Sequence, residues 1–264
     1  MGSLGGHWSI PRSHPRYESL VVRERLVEAY MKGIVVPQGL IAHGRGEAFD
    51  YILGERSHDF AIEAERAAVA SILLASKPVI SVNGNYAALA AEEVAKLAEI
   101  TGALIEVNLF YRTEERVAKI AELLRSVGAR RVLGVECEKT IIQGLESPRG
   151  IVCRDGIYSA DFVLVAIEDG DRTLALKRVG KKVAAIDLNP FSRTAQTADI
   201  TIVDEARRAT INMARIAEKL ISFSKRELEE IVKAYNNREI LSKAFKTILE
   251  RLAEASAKGI IIEP

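Results

Sequence analysis

Between Lys77 and Asp204, short β-rich apolar runs alternate with helical stretches, and this alternation limits the possible folds more than any other feature of the chain. PVISVNG precedes YAALAAEEVAKLAEIT, and ALIEVNL precedes TEERVAKIAELLRSVG. A briefer RVLGV leads into an irregular stretch containing Gly144, Pro148 and Gly150, after which DFVLVAI, DRTLALKRVG, KVAAIDLNP and DITIVD resume the pattern. Strands that are apolar on both faces and separated by helices indicate a parallel sheet covered on both sides. The expectation is an α/β, Rossmann-like three-layer fold with a mostly parallel central sheet plus N-terminal and C-terminal helical additions. Periodicity leaves the strand order open.

The flanks read as helical. Residues 17–32 form an amphipathic helix with Leu20, Leu26, Val27 and Tyr30 on one face, entered through a segment that Pro11 and Pro15 keep extended. Gly39, Gly44, Gly46 and Gly54 punctuate the next stretch, which reads as a loop, and AIEAERAAVASILLAS follows as an alanine-rich helix. Met213, Ile216, Ala217 and Leu220 trace one C-terminal stripe, and Leu241, Phe245, Ile248 and Leu252 another. Ser224 with Glu227 forms a capping box, and Gly259 is the stop. No repeat or linker divides the chain, so residues 1–264 are expected to form a single domain. Within it, 1–76 hold the N-terminal helices and glycine-rich loop, 77–204 the core sheet, and 205–264 the C-terminal helices.

Composition removes several classes of function. Lys and Arg number 37 against 36 Asp and Glu, so no net field exists to hold nucleic acid or an anionic membrane. No apolar run approaches the ~18 residues of a membrane span, and MGSLGGHWSIPRSH lacks the apolar core of a secretion signal. A cytoplasmic protein is expected, with Cys137 and Cys153 as free or buried thiols. Abundant Glu, Arg and Lys lean toward a thermophile.

In an open parallel sheet, ligands bind beyond the carboxyl ends of the strands, near a switch in strand order. The loops expected there hold Asn83 and Asn85; Asn108, Tyr111, Arg112 and Thr113; Glu168, Asp169, Asp171 and Arg172; and Asp187, Leu188, Asn189, Ser192, Arg193 and Thr194. Asn, Asp, Gly and Thr are also ordinary turn and cap residues, so no one loop decides the matter. A cation in a first helical turn opposes the macrodipole, however, and Arg112, Arg172 and Arg193 together favour an anionic ligand. His43-Gly44-Arg45-Gly46-Glu47 sets a guanidinium between two glycines that would let backbone approach a ligand. His43 has no second His or Cys at ligand spacing, so it orients the substrate loop rather than binding a metal, and no metal site is expected. G-x-x-x-x-G-K-[ST], G-x-G-x-x-G after a strand, and G-x-S-x-G are all missing. Cys137 lies between Glu136 and Glu138 and would be a weak nucleophile. What remains is a site that works by positioning and electrostatics on two bound substrates, one of them ATP with Mg2+, with no catalytic group identified.

The runs SHPRYESL (13–20), GLIAHGRGEAFDYILGE (39–55), PVISVNGN (78–85), IEVNLFYRTEERV (105–117), EDGDRT (168–173) and IDLNPFSRTAQTADITIVD (186–204) resemble those of the archaeal phosphopantothenate synthetases, or 4-phosphopantoate–β-alanine ligases, over about residues 10 to 250. The resemblance implies an ATP-dependent condensation in coenzyme A biosynthesis. The 4-phosphopantoate carboxylate is activated as an acyl-adenylate and the β-alanine amine then attacks it. It also implies ATP contacts at Arg23, Arg45, Asp187, Leu188, Asn189, Arg193 and Thr194, and a homodimer. The family's pattern after the last strand resembles V-D-N-I, whereas this chain reads Val203-Asp204-Glu205-Ala206, which leaves a side-chain contact at Glu205 open. Substrate roles for His43, Asn83, Asn85, Asn108, Tyr111, Arg112, Glu168, Asp169 and Arg172 rest on the strand-end argument. Arg112 and Arg172 would bind the phosphate or carboxylate, and Glu168 or Asp169 Mg2+ or the β-alanine ammonium. An NAD-dependent oxidoreductase or transferase and a non-catalytic nucleotide sensor are the alternatives.

Overall fold

The computed structural model describes residues 10–14 and 16–259. Its centre is a six-stranded, wholly parallel sheet in the order β3-β2-β1-β6-β7-β8. The strands are β1 (Pro78–Val82), β2 (Leu104–Val107), β3 (Val132–Leu133), β6 (Phe162–Ala166), β7 (Lys182–Ile186) and β8 (Ile200–Ile202). The two-residue period of a strand sorts their side chains. Ile80, Ile105, Leu164, Ala184 and Ile202 enter one core, while Val79, Val163, Val165, Val183 and Ala185 enter the other.

The first face is covered by α3 (Asp59–Leu74), α4 (Gly84–Thr101), α5 (Glu114–Ser126) and α8 (Ala206–Leu220). Alanines of α3 and α4 are fully buried there, which lets these helices lie close to the sheet and to each other. The second face is covered by α6 (Gly170–Arg178) and by an irregular arm. That arm holds the antiparallel pair β4 (Lys139–Ile141) and β5 (Ile151–Cys153). A short α7 (Arg193–Thr197) joins β7 to β8. The sequence-level capping box at Ser224 and Glu227 starts α9 (Lys225–Ala234), and Gly259 ends α10 (Asn237–Lys258) at φ +71°. No helix among the described residues is long and apolar enough to cross a membrane.

Four expectations need correction. The glycine-punctuated stretch is a helix, α2 (Pro37–Leu53), begun by Pro37 and ended by left-handed Gly54. Gly39 serves packing: a Cβ there would collide with the Asn85 side chain, whose Nδ2 donates to the Gly39 carbonyl at 2.7 Å. In α1 (Tyr17–Met31) the buried positions are Leu26 and Ala29, whereas Val27 and Tyr30 stay exposed. Pro11 opens a turn closed by the His14 N–H, so the approach to α1 is not extended; Pro15 lies outside the described residues. Finally, Cys137 and Cys153 are joined in a disulfide with Cα atoms 5.6 Å apart. The arm brings the two sulfurs together, a proximity that overrides the expectation from compartment.

Candidate active site

Strand order reverses between β1 and β6, because the chain runs outward from β1 through β2 and β3 on one side and from β6 through β7 and β8 on the other. Two connected cavities open above this switch point. The smaller, about 130 Å³, lies at the start of α4 beside Asn83, Gly84 and Asn85 and is flanked by Arg116 and Arg149. The larger, about 640 Å³, extends over the ends of β6, β7 and β8 past Glu168, Asp169, Asp187, Leu188, Asn189 and Glu205. Ala42, Phe110, Tyr111, Arg149 and Ile167 line both.

Ile167 at this junction has φ +51°, a left-handed conformation that a β-branched residue adopts only when its surroundings impose it. The surroundings do so through Asn83. Its Nδ2 donates to the carbonyls of Ala166 (2.7 Å) and Ile167 (3.2 Å), while its Oδ1 caps α4 by accepting from Tyr86 N at 3.0 Å. Both polar atoms of the Asn83 side chain are thus committed, Nδ2 to tying β1 to the end of β6 and Oδ1 to capping α4.

The kink turns Glu168 inward, where Arg149 meets its carboxylate at 2.7 Å and Arg172 pairs with it as well. Burial opposes ionisation of Glu168, but the two guanidiniums outweigh it and hold its pKa below the ordinary carboxylate value. Asp169 caps α6 through Oδ1, which accepts from Arg172 N at 2.8 Å. Its Oδ2 lies 3.3 Å from Arg149 Nε, yet neither atom has a hydrogen-bond partner. Buried polar atoms are ordinarily satisfied, so this pair stands out among the polar groups of the cavity wall. Burial and the Glu168 charge raise the pKa of Asp169.

The three strand-end arginines do not face the cavities. Arg172 is 0% exposed, with Nη2 donating to Ser81 Oγ at 3.1 Å beneath the sheet end. Glu168, which lies just ahead of the Asp169 cap of α6, draws it inward. Arg112 folds onto the Gly134 carbonyl at 3.1 Å and lies 3.5 Å from Glu114. Arg193 is 72% exposed and pairs with Asp171 at 2.6 Å. The cations that line the cavities are Arg45, Arg116 and Arg149. Arg116 and Arg149 were not singled out from sequence. Arg149 sits between Pro148 and Gly150 in a single 3-10 turn, and this proline–glycine frame was its one local signal.

Other expected residues divide similarly. Asn85 and Tyr111 line the small cavity. Asn108 is buried and ties the arm to β2, donating to the carbonyls of Arg149 (3.1 Å) and Ile151 (3.0 Å). Asp187 accepts from Asn189 N at 2.9 Å and from Ser192 Oγ, a turn that presents Leu188 and Asn189 to the large cavity. Burial raises the Asp187 pKa. Thr194 is buried and donates to the Glu168 carbonyl at 2.8 Å. Arg23 faces neither cavity and instead pairs with Glu47 at 3.0 Å. His43 lines the large cavity with Nε2 buried and unpartnered, and burial lowers its pKa, so the ring is neutral. Glu205 caps α8 by accepting from Arg207 N (3.0 Å) and Arg208 N (2.8 Å) while lining the large cavity.

Beneath that cavity Asp204 accepts from Ser57 Oγ (2.5 Å) and from Arg208, and beside it lies Glu65, fully buried, with Oε2 lacking a donor. Burial, and next the Asp204 charge, push the Glu65 pKa up to about 9. Glu65 is therefore protonated at neutral pH in the folded protein and ionised in the unfolded chain. Its contribution to stability is complete below the unfolded pKa and declines by about 1.4 kcal/mol per pH unit from roughly pH 4.5 to 9. Glu65→Gln should remove that decline, so the melting temperatures of variant and wild type diverge as pH rises from 5 to 9. Parallel curves would show that Glu65 is ionised in the fold.

The family model for phosphopantothenate/pantothenate synthetase matches residues 60–251. Among curated relatives, a protein of Methanosarcina mazei named 4-phosphopantoate–β-alanine ligase is 52% identical over 249 residues, covering 94% of this chain and 98% of the relative. A protein of Thermococcus kodakarensis with the same name is 52% identical over 253 residues, covering 96% and 97%. One from Methanospirillum hungatei, also so named, is 48% identical over 243 residues.

Proposed function

The chain belongs to the phosphopantothenate/pantothenate synthetase family, and from that premise we propose that it is an ATP-dependent ligase joining 4-phosphopantoate to β-alanine. The products are 4'-phosphopantothenate, AMP and pyrophosphate, and the pathway is archaeal coenzyme A biosynthesis. The observation that carries the reading is the pair of connected cavities, with Arg149, Glu168 and Asp169 where they meet.

The chemistry explains why two compartments must touch. A carboxylate resists attack by an amine until one of its oxygens is bonded to a good leaving group. In the proposed arrangement the phosphate of 4-phosphopantoate occupies the small cavity, where the start of α4, Arg116 and Arg149 favour an anion. ATP occupies the large cavity, with adenosine over Leu188 and Asn189. The 4-phosphopantoate carboxylate then reaches the junction. Its oxygen bonds to the α-phosphorus and pyrophosphate departs. Once the β-alanine ammonium has given up one proton, its nitrogen bonds to the acyl carbon, and AMP departs while the nitrogen loses a second proton. Arg149 at the junction offsets negative charge on either anion, and the unpartnered Asp169 Oδ2 can accept from the β-alanine ammonium. Arg45 and the neutral His43 lie along the ATP compartment. Arg112 and Arg172 have no place in this set, since both are folded away from the cavities.

No three acidic, His or Cys side chains cluster as a cation cage among the described residues. Mg2+ bound through substrate phosphates and one or two carboxylates needs no such cage, and Asp169 fits that requirement in the adenylation step, before β-alanine takes the place beside it. Bound there, the ion would neutralise charge on the triphosphate.

We read the protein as cytoplasmic and homodimeric. Val27, Tyr30 and Met31 leave an exposed apolar strip on α1 that suits a second copy. The functional test combines the protein with ATP, Mg2+, 4-phosphopantoate and β-alanine. AMP release that requires 4-phosphopantoate is the expected result. ATP binding without turnover would favour a nucleotide sensor, and binding of NAD in place of ATP an oxidoreductase.

A further inference from the structure

Arg149 reaches the junction on the arm of residues 134–158, which has little regular structure of its own and is held to β2 by specific ties. Asn108 supports the carbonyls on either side of Gly150. Glu106, buried in the middle of β2, accepts the backbone N–H groups of Cys153 (2.9 Å) and Ile157 (2.6 Å). The chain passes so close to this carboxylate at Gly156 that a Cβ there would collide with it. A carboxylate enclosed in this way is costly unless its bonds are made, so these contacts set the path of the arm closely. The Cys137–Cys153 disulfide completes the brace, with Cys153 only four residues after Arg149.

We propose that the Cys137–Cys153 disulfide is a dithiol-sensitive latch that positions Arg149, so that opening it weakens 4-phosphopantoate binding while ATP binding persists. The proposal rests on the reading of the small cavity as the 4-phosphopantoate compartment. Cys153 is buried and Cys137 half-exposed, which makes Cys137 the sulfur open to attack. A thiolate of an external dithiol bonds to Cys137 Sγ as the S–S bond breaks, and Cys153 leaves as a thiolate and takes up a proton. The second dithiol sulfur then displaces Cys137, which is protonated in turn. Two electrons and two protons pass to the protein, and the dithiol ends as its own disulfide. Without the cross-link the loop between the cysteines regains conformational freedom in the native state, and the β4–β5 ribbon frays from its Cys137 end. The ATP compartment is built mainly on the ends of β6, β7 and β8 and on α2, and Arg149 is the arm residue that also lines it, so that compartment keeps most of its walls when the latch opens.

The test uses the full chain oxidised, reduced with dithiothreitol, and as Cys137→Ser, each assayed well below its unfolding transition. In the reduced protein and in the variant, KM for 4-phosphopantoate should rise by about tenfold, while kcat and KM for ATP change by less than about twofold, because a fork held less well loses part of a charge-assisted contact. Re-oxidation should restore the reduced wild type, and the variant should not respond to dithiol. Hydrogen exchange should accelerate at residues 148–158 and stay unchanged in β1 and β6. An unchanged KM for 4-phosphopantoate, or an equal rise for both substrates, overturns the proposal. Should the oxidised protein show no ligation at all, the functional reading fails. Exchange alone then decides the latch, and unchanged exchange at 148–158 overturns it.

Discussion

Replacing Arg149 by alanine is expected to lower kcat/KM for 4-phosphopantoate by roughly 10²- to 10³-fold, from the loss of one or two charge-assisted hydrogen bonds worth ~1.5–3 kcal/mol each. The guanidinium lines both cavities, and its Nε is buried with no hydrogen bond, only an ion pair to Asp169. Arg149→Lys keeps the charge but loses the planar fork, so it should recover only part of the activity. The substitution also removes one of the two guanidiniums that hold Glu168, so a loss of stability is expected alongside the loss of activity. Steady-state kinetics together with a melting curve separate the two effects. A variant that melts early but retains the wild-type kcat/KM at low temperature would restrict Arg149 to a structural role.

Arg172→Met is expected to lower stability without the loss of activity. Its side chain is 0% exposed and bonds to Glu168 and to Ser81, so truncation leaves a buried carboxylate dependent on Arg149 alone. Breaking a buried pair in this way costs about 3–5 kcal/mol. For a chain of this size that corresponds to a fall of roughly 10 °C in melting temperature. Below the transition, KM for 4-phosphopantoate should remain near wild type because the side chain lines neither cavity. A large rise in KM with unchanged melting would show that Arg172 reaches substrate after all.

The contrast between these arginines shows what could be read from the sequence. The β-rich runs from Pro78 to Ile202 are strands because each must bury both faces, and a requirement so local is written into the residues themselves. The loops after β1, β6 and β7 do line the cavities for the same reason, since a parallel sheet puts them all on one edge. The direction of a side chain is a different matter. Arg172 stands at a strand end as expected, but Glu168 one turn earlier draws it inward. Arg149 reaches the junction on an arm that is tied down by Glu106 and Asn108, both distant from it in sequence. The glycines of α2 misled for a related reason, since Gly39 is required by Asn85 on another helix and not by any turn of its own.

The central claim is that the carboxylate of 4-phosphopantoate attacks the α-phosphorus of ATP where the two cavities meet. Ligation of 4-phosphopantoate labelled with 18O in its carboxylate tests it most directly. When β-alanine displaces the activating group, one carboxylate oxygen must leave with that group, so mass spectrometry should find the label in AMP and none in pyrophosphate. Label in inorganic phosphate accompanied by ADP would mean attack at the γ-phosphorus and would contradict the account.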